Sequence, residues 1–464
     1  MGLVDNLYKS LPVPAQNLII SLYGWYWQKR RFGGAFKQEL INFRSRNNWT
    51  EAQWREYQEQ KLRVLLIHAY SRVPFYKEKY SQAGFQLNDF QNFKLEDLHR
   101  LPFLEKQELQ EFGETTLLAN NRRSGNFYSS SGSTGTPTKI YISPKFHQTW
   151  SAAFEVRIRE WAGVDRFSAR GTIGGRRVVK EGDSQGPYYR YNSFEKQTYF
   201  SAYHIGPNTV RDYLEGMLKG KVEYMTGYAM SNYFLAQEIE KAGLKAPKLK
   251  AVITSSEKLS PEMRETFKRV YQCETFDSYS GVENCGLISE TPDRFLVNSP
   301  DVGILEVLDE NGKAVPAGAS GEVVSTGLLN FDQPLIRYRI GDRVTLGEKS
   351  EGLRKINMPV VEQIDGRIED KVVGPDGRAM VRFHGIFINH QGLVASQVVQ
   401  EKRDLIILRL VKDSSYSKDI SEPIMIQRIE SQLGSEMKVI FEYLKELPRT
   451  RSGKIKAVVS KINQ

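Results

Sequence analysis

Between Phe127-Tyr128 and a short β-branched run stands Ser129-Ser130-Ser131-Gly132-Ser133-Thr134-Gly135-Thr136-Pro137-Thr138-Lys139. Glycines let backbone N–H groups approach an anion closely, hydroxyls add donors and can reach a Mg²⁺ ion, and a lysine adds positive charge. This is the composition of a loop that wraps phosphates. It is not a Walker loop, because Pro137 stands where the second glycine of that pattern belongs. Taken alone it reads equally well as a flexible Ser/Gly linker.

Four later segments carry further chemistry. Ala251-Val252-Ile253-Thr254-Ser255-Ser256-Glu257 reads as a buried strand ending in small polar residues, and α/β folds place ligands at such carboxyl ends. Asp277-Ser278-Tyr279-Ser280-Gly281-Val282-Glu283 offers an aromatic ring and a hard carboxylate suited to Mg²⁺. Leu335 to Asp342 ends in Gly341-Asp342, and a carboxylate can accept two hydroxyl hydrogen bonds at once. Leu447-Pro448-Arg449-Thr450-Arg451-Ser452-Gly453-Lys454 is a basic stretch near the end. The last three have an ordinary reading: a surface acid, a turn between strands, a solvated basic tail. Their order along one chain favours the chemical one.

That order resembles the adenylate-forming superfamily, and within it the phenylacetate-CoA ligase branch and the CapK-like proteins associated with polysaccharide biosynthesis. In that family Ser-Gly-Ser/Thr-Thr-Gly-x-Pro wraps the ATP phosphates, and Ser131, Gly132, Ser133, Thr134, Gly135 and Pro137 match it; Thr136 fills the variable place. Many relatives carry Lys directly after the Pro, whereas here Thr138 intervenes before Lys139. The resemblance implies that Ser255, Ser256 and Glu257 form the adenine-contacting turn, reached also by Asp277 and Ser278. Tyr279 would stack near adenine, Glu283 with Thr134 would hold Mg²⁺, and Asp342 would bind the ribose hydroxyls. Ile364-Asp365-Gly366-Arg367-Ile368-Glu369-Asp370 is similar to the hinge motif, which makes Arg367 a nucleotide contact and Glu369 the residue whose torsions turn a small lobe. Lys454 matches the lysine that reaches the carboxylate and α-phosphate during adenylation. Tyr203-His204-Ile205-Gly206 and Met225-Thr226-Gly227-Tyr228-Ala229 resemble CapK-like segments, so His204, Tyr228 and Gly281 are expected in the acid pocket. Some relatives carry Cys and His after the Mg²⁺ motif; residues 290–298 hold neither, so no zinc is expected.

These residues need a scaffold. Thr50 with Gln53 is a capping box opening a helix through Trp54, Tyr57, Leu62, Leu65 and Leu66, and residues 1–120 read as mainly helical. From about residue 125, strand-like runs at 139–142 and 250–254 alternate with helical patterns at 208–219 and 260–272, the texture of an α/β fold. Ser260-Pro261-Glu262 is a helix start, and Asp309 to Lys313 a hairpin turn leading to a strand at 322–324. A boundary is expected near 366–370. The roughly 95 residues beyond it, with a strand at 404–411 and a helix at 421–433, suffice for a small domain. The expected class is α/β: a large multi-subdomain N-terminal adenylate-forming domain, with residues 121–368 binding ATP and acid, plus a small mobile C-terminal α/β domain at 369–464 carrying Lys454.

Hydrophobic residues make up 40% and charged residues 26% of the 464, which fits a globular chain rather than a disordered one. Lys and Arg outnumber Asp and Glu by 65 to 55, a net charge of +10 that suits phosphorylated ligands or an anionic surface. No base-reading motif is present, so nucleic acid is not an expected partner. Cys273 and Cys285 give no disulfide framework or zinc set, and the start lacks an export signal, which points to the cytoplasm. Residues 17–31, NLIISLYGWYWQKRR, have the composition of an amphipathic helix with a basic end. An aromatic stripe of this kind more often packs on its own protein; contact with an anionic bilayer, at the inner face of the membrane, is the alternative.

The function so implied is an ATP-dependent ligase that activates a carboxylic acid as its acyl-adenylate with Mg-ATP and passes the acyl group to coenzyme A. Within the same class, the acceptor would be an amine or hydroxyl in polysaccharide assembly. From another class, a basic membrane-surface scaffold would keep the ligase fold without catalysis. The acid, the acceptor and the oligomeric state do not follow from one sequence.

Overall fold

The structure, a computed structural model, describes residues 8, 11–129, 138–174, 178, 186–202, 204–256, 259–348, 356–364, 372–380, 383–387, 390–445, 447–448 and 458–462. Among them, twelve strands form one large sheet. Its heart is parallel: Gln197–Ser201, Arg170–Gly174, Tyr224–Tyr228, Ala251–Ser255 and Glu274–Tyr279 lie side by side in that order. Successive side chains of a strand point to opposite faces, so apolar runs such as Ala251-Val252-Ile253 bury both. Ile173, Met225 and Val252 pack with residues of the helices Val210–Lys219, Ala229–Lys241 and Pro261–Tyr271. Tyr224, Ala251 and Ile253 pack toward the helices Phe36–Ser45 and Pro144–Phe154 on the other side.

Beyond Glu274–Tyr279 the sheet turns antiparallel through Ile288–Glu290, Leu296–Asn298, Val360–Ile364, Tyr338–Leu346, Ser320–Gly327 and Gly303–Leu308. Asp309 to Lys313 makes the expected tight turn, with the Asp309 N–H donating to the Lys313 carbonyl at 2.8 Å. The chain then pairs Gly303–Leu308 with Ser320–Gly327.

Local sequence signals act as their physics requires. Thr50 accepts the Gln53 N–H and the Gln53 side chain accepts the Thr50 N–H, which opens the helix Glu51–Arg72. Ser260 caps Pro261–Tyr271 in the same manner through the Met263 N–H. Leu62, Leu65, Leu66 and Ala69 of the first helix are fully buried with Tyr76, Phe90, Ile336 and Tyr338.

From Val372 onward the described residues gather a core of their own, including Val398, Ile406, Leu408, Met425, Ile429 and Val458. Four strands, in the order Lys438–Tyr443, Leu405–Lys412, Leu393–Lys402, Val458–Ser460, carry the helix Lys418–Leu433.

The aromatic segment meets the expectation that it packs on its own protein only in part, through Trp27 against Tyr128 and His147. It is a helix, Val13–Phe32, but Leu18, Ile19, Leu22, Tyr23, Trp25 and Tyr26 face outward at 42–61% exposure, while Gln16, Ile20, Ser21 and Gly24 are buried. The reason lies in the neighbour. The strand Tyr189–Asn192 ends the large sheet, and its outward backbone groups need polar partners, which the helix supplies.

Candidate active site

The carboxyl ends of the parallel strands make one rim. Tyr228, Ser255 and Ser278 stand in a single register row across three neighbouring strands, so segments distant in sequence meet there. Ser256, directly after its strand, takes a left-handed φ of 70°, the sharp turn by which the chain leaves the sheet. Gly227 has a φ of 122°, and a Cβ there would lie 1.9 Å from the Ile173 carbonyl oxygen, so this close approach of two strands needs glycine.

Asp277 and Ser278 are engaged inside the sheet. Asp277 Oδ1 accepts from the Thr254 hydroxyl at 3.1 Å and the Ser278 N–H at 2.9 Å, and the Ser278 hydroxyl donates to the Thr254 carbonyl at 2.9 Å. The Asp277 N–H donates to Glu290 at 2.8 Å, and Arg264 holds Glu290 with two hydrogen bonds. Desolvation pushes the Asp277 carboxyl up to about 7, against the pull of Thr254, Ser278 and Arg264. Together these bonds clamp Ala251–Ser255 to Glu274–Tyr279.

One residue on, the Tyr279 phenol donates to Asp342 Oδ2 at 2.7 Å. Desolvation, then the Asp342 charge, raises the phenol well above its ordinary value, so it stays a donor. Asp342 reaches this place through a bulge. Between the pairs Val324↔Arg339 and Glu322↔Arg343 its strand carries extra residues, with Gly341 at a φ of 84°. A bulge re-aims a side chain, and glycine takes the left-handed step without strain. The Gly-Asp pair is thus a bulge within the strand Tyr338–Leu346 rather than a turn between strands.

Glu283 lies in the loop after Tyr279. The Thr138 hydroxyl points to Glu283 Oε1 at 3.4 Å, long for a hydrogen bond, and Thr138 is fully buried. A Cβ on Gly281 would sit 2.2 Å from Glu283 Oε2, so glycine leaves the carboxylate its room. Desolvation, followed by the nearby Asp342 charge, raises the Glu283 pKa. A carboxylate held in such a place, with a second beside it, is stabilised by a divalent cation, and its oxygens suit Mg²⁺. The donor chemistry therefore fits that ion.

Thr138 stands where the sequence offers only an interruption between Pro137 and Lys139; its hydroxyl is what meets Glu283. Lys139 is half-exposed and paired with Glu114 at 2.7 Å. His204 Nδ1 is 2.7 Å from the Ser201 hydroxyl, and its ring stacks on Tyr188 with centroids 4.8 Å apart. Tyr228 ends its strand and precedes the helix Ala229–Lys241, where its carbonyl accepts from Asn232 at 2.8 Å. Ser131, Gly132, Ser133, Thr134, Gly135, Thr136, Glu257, Arg367, Glu369 and Lys454 lie outside the described residues.

The sheet face below the rim holds a cavity of about 210 Å³ whose lining includes Arg31, Arg159, Arg170, Gln197, Tyr199 and Tyr224. Glu195 pairs with Arg31 and with Arg170, and Glu155 with Arg159 at 2.6 Å. Desolvation lowers the Arg31 pKa against the pull of Glu195, and Arg170 and Arg159 lower it further. No local pattern groups residues so far apart, so sequence reasoning misses this cluster.

Comparison with known proteins matches this architecture. Residues 373–461 match the family model of the CapK C-terminal domain. Protein CapK of Staphylococcus aureus is 22% identical over 470 residues, covering 99% of this chain and 100% of that protein. A phenylacetate-coenzyme A ligase of Pseudomonas putida is 26% identical over 345 residues, 69% of this chain and 72% of the other. Among solved structures, 2-hydroxyisobutyryl-CoA ligase in complex with 2-HIB-AMP and CoA superposes with a TM-score of 0.60 at 20% identity, covering 89% of this chain and 91% of that one, which shows a shared fold. The chain is thus similar to CapK along nearly its whole length and to a phenylacetate-coenzyme A ligase over about two thirds of it, its C-terminal part matches the CapK C-terminal domain, and it shares the fold of 2-hydroxyisobutyryl-CoA ligase.

Proposed function

We propose that this protein is an ATP-dependent, AMP-forming ligase that activates a carboxylic acid and transfers the acyl group. The observation that carries the reading is the meeting of Tyr279, Asp342 and Glu283 at the carboxyl ends of the parallel strands, with Thr138, the residue after the Ser/Gly loop, against Glu283.

In this reading the acid's carboxylate oxygen attacks the α-phosphorus of ATP. A P–O bond forms to the acid, the bond to the β-phosphate breaks, and its electron pair leaves with pyrophosphate. Tyr279 and Asp342 position the nucleoside. The loop Ser131–Thr136 steadies the phosphates with backbone N–H groups, and Lys454 places positive charge where negative charge develops. Glu283 and Thr134 would hold Mg²⁺, which would neutralise charge on the phosphates. Arg367 contacts the nucleotide, the small domain at 369–464 turns about Glu369, and His204, Tyr228 and Gly281 border the acid. In the second step a thiol sulfur attacks the acyl carbon, the thiol proton is lost, and AMP departs, dividing one hard condensation into two easier ones. Coenzyme A is the acceptor in the first reading. The match of residues 373–461 to the CapK C-terminal domain favours a second, in which a sugar or amino-acid amine takes the acyl group. The setting in this reading is the cytoplasm, with the inner face of the membrane as the alternative.

ATP–pyrophosphate exchange with a panel of aryl, fatty, amino and sugar acids tests the reading, beside a Lys454→Ala control. Exchange with one acid class that vanishes in the control is the expected result. Silence across the panel by a protein that binds ATP would favour the non-catalytic scaffold.

A further inference from the structure

The helix Val13–Phe32 is built inside out. A helix on a protein surface ordinarily turns its apolar stripe to the core and its polar side to water. Here a mainly polar and small side faces the body, joined by Ile20 and by Trp27, which packs against Tyr128 and His147. Gln16 accepts from Arg190 Nε at 2.6 Å, Asn17 Oδ1 accepts from the Tyr191 N–H at 3.0 Å, and the Ser21 hydroxyl accepts from the Ser193 N–H at 3.0 Å. Gly24 fits against Asn192, whose side chain a Cβ would meet at 2.3 Å. These contacts seat the helix on the edge strand Tyr189–Asn192 and fix its rotation about its own axis.

With the rotation fixed, the outer face is set. Leu18, Ile19, Leu22, Tyr23, Trp25 and Tyr26 are 61%, 42%, 56%, 49%, 44% and 49% exposed. Their spacing covers one continuous side of the helix at 3.6 residues per turn. Singly exposed apolar residues are ordinary, whereas a contiguous row on one element marks an interaction surface. The charge on this helix has one sign: Val13–Phe32 contains no Asp or Glu, and Lys29, Arg30 and Arg31 fill its last turn. Lys29 Nζ sits 3.9 Å from the Trp25 ring centroid, so its ammonium borders the apolar face. Arg30 and Arg31 instead hold the body, through the Ile142 carbonyl and Glu195.

We propose that this face docks the enzyme on an anionic lipid surface. Trp and Tyr rings with a polar tip partition to the boundary between headgroups and acyl chains, Leu and Ile enter just below, and the Lys29 ammonium meets lipid phosphates. A helix lying in the interface needs an apolar side and a basic flank, which this one has. It does not need the long uncharged run of a spanning helix, and no helix among the described residues is long and apolar enough to cross a membrane. Charge decides among occupants: a row of apolar groups bordered by Lys29, on a helix without Asp or Glu, complements an anionic bilayer, and a second copy would bring the two Lys29 ammonium groups toward each other.

The test is flotation of the full-length protein with phosphatidylcholine vesicles and with vesicles of phosphatidylcholine and phosphatidylglycerol, beside a Leu22→Ser/Trp25→Ser/Tyr26→Ser variant. These positions are exposed, so the variant should keep its melting temperature and its turnover of soluble substrates. We expect the wild type to float with the anionic vesicles, more weakly in high salt, and the variant to lose at least about tenfold in partitioning. Lys29→Glu alone should weaken binding to the anionic vesicles and leave any binding to neutral ones unchanged. It provides the same reading should the triple variant fail to fold. Wild-type protein that floats with neither vesicle, or a folded triple variant that floats as well as wild type, overturns the proposal. So does a dimer in solution that the triple variant abolishes while no vesicle is bound, which assigns the face to a second copy.

Discussion

The Tyr279 phenol donates a 2.7 Å hydrogen bond to Asp342 Oδ2 across 63 residues of chain. It joins the last residue of a parallel strand to a bulge in an antiparallel one, and so fixes the two groups proposed to border the nucleoside.

Removing either partner should be felt in nucleotide binding. A hydrogen bond to a charged group contributes about 1.5–3 kcal/mol, so Asp342→Asn is expected to weaken ATP binding about 10- to 100-fold by calorimetry. Tyr279→Phe keeps the ring and loses only the bond that orients Asp342, so a loss of a few-fold is expected. Unchanged affinity in both would remove the pair from the nucleotide site.

Gly281→Ala separates catalysis from folding. The new Cβ would displace only the end of the Glu283 side chain, so the melting midpoint should move by no more than about 1 kcal/mol in stability. Pyrophosphate exchange, in contrast, should fall at least about tenfold and require more Mg²⁺ for half-maximal rate, as it should in Glu283→Gln. A normal Mg²⁺ titration in both variants would argue against Glu283 as the metal's carboxylate.

Asp277 gives a pH signature in stability. Desolvation raises its folded pKa to about 7 from an ordinary carboxyl value of 3.8, so between roughly pH 4 and 7 the folded state holds a proton that the unfolded state has released. Stability from this group is fully present below the unfolded pKa and is lost as pH rises through the folded one. The limiting slope is about 1.4 kcal/mol per pH unit. Denaturant unfolding of wild type and Asp277→Asn should therefore diverge across this window and run parallel above it. Parallel curves throughout would show that the clamp holds an ionised carboxylate.

Asp301, in the loop before the strand Gly303–Leu308, ties together Arg46, at the end of the helix Phe36–Ser45, and Arg157. Fully buried, it accepts from Arg46 Nε at 2.8 Å and Arg157 Nη2 at 3.2 Å, both on buried side chains. Asp301→Ala would leave two guanidinium groups inside the protein without their counter-charge, a loss of about 3–5 kcal/mol read in denaturant. A loss under about 1 kcal/mol would mean that water reaches the pair.

What the sequence determined by itself is local or ordered along the chain. Thr50 with Gln53 and Ser260 with Pro261 start helices because their hydroxyls reach an N–H three residues on, a relation confined to one turn. The alternation of β-branched runs with helical patterns set the fold class, since period follows from backbone geometry. The segments ending at Ser255 and Tyr279 located the rim of the sheet, because residues at the ends of parallel strands share one edge.

What only the tertiary structure decided is which groups meet and which way they face. Thr138 reads as an interruption until folding brings it to Glu283, and the engagement of Asp277 by Thr254 and Ser278 shows only in the fold. Arg31, Arg159 and Arg170 converge on one cavity from three elements that no sequence period relates. The helix Val13–Phe32 makes the reason plain. Composition shows an apolar stripe and a basic end, but rotation about the helix axis is set by the edge strand, whose N–H groups draw Asn17 and Ser21 inward and leave Leu22, Trp25 and Tyr26 outside. Hydrogen-bond demand from a strand about 170 residues further along the chain outweighed the usual burial of the apolar side.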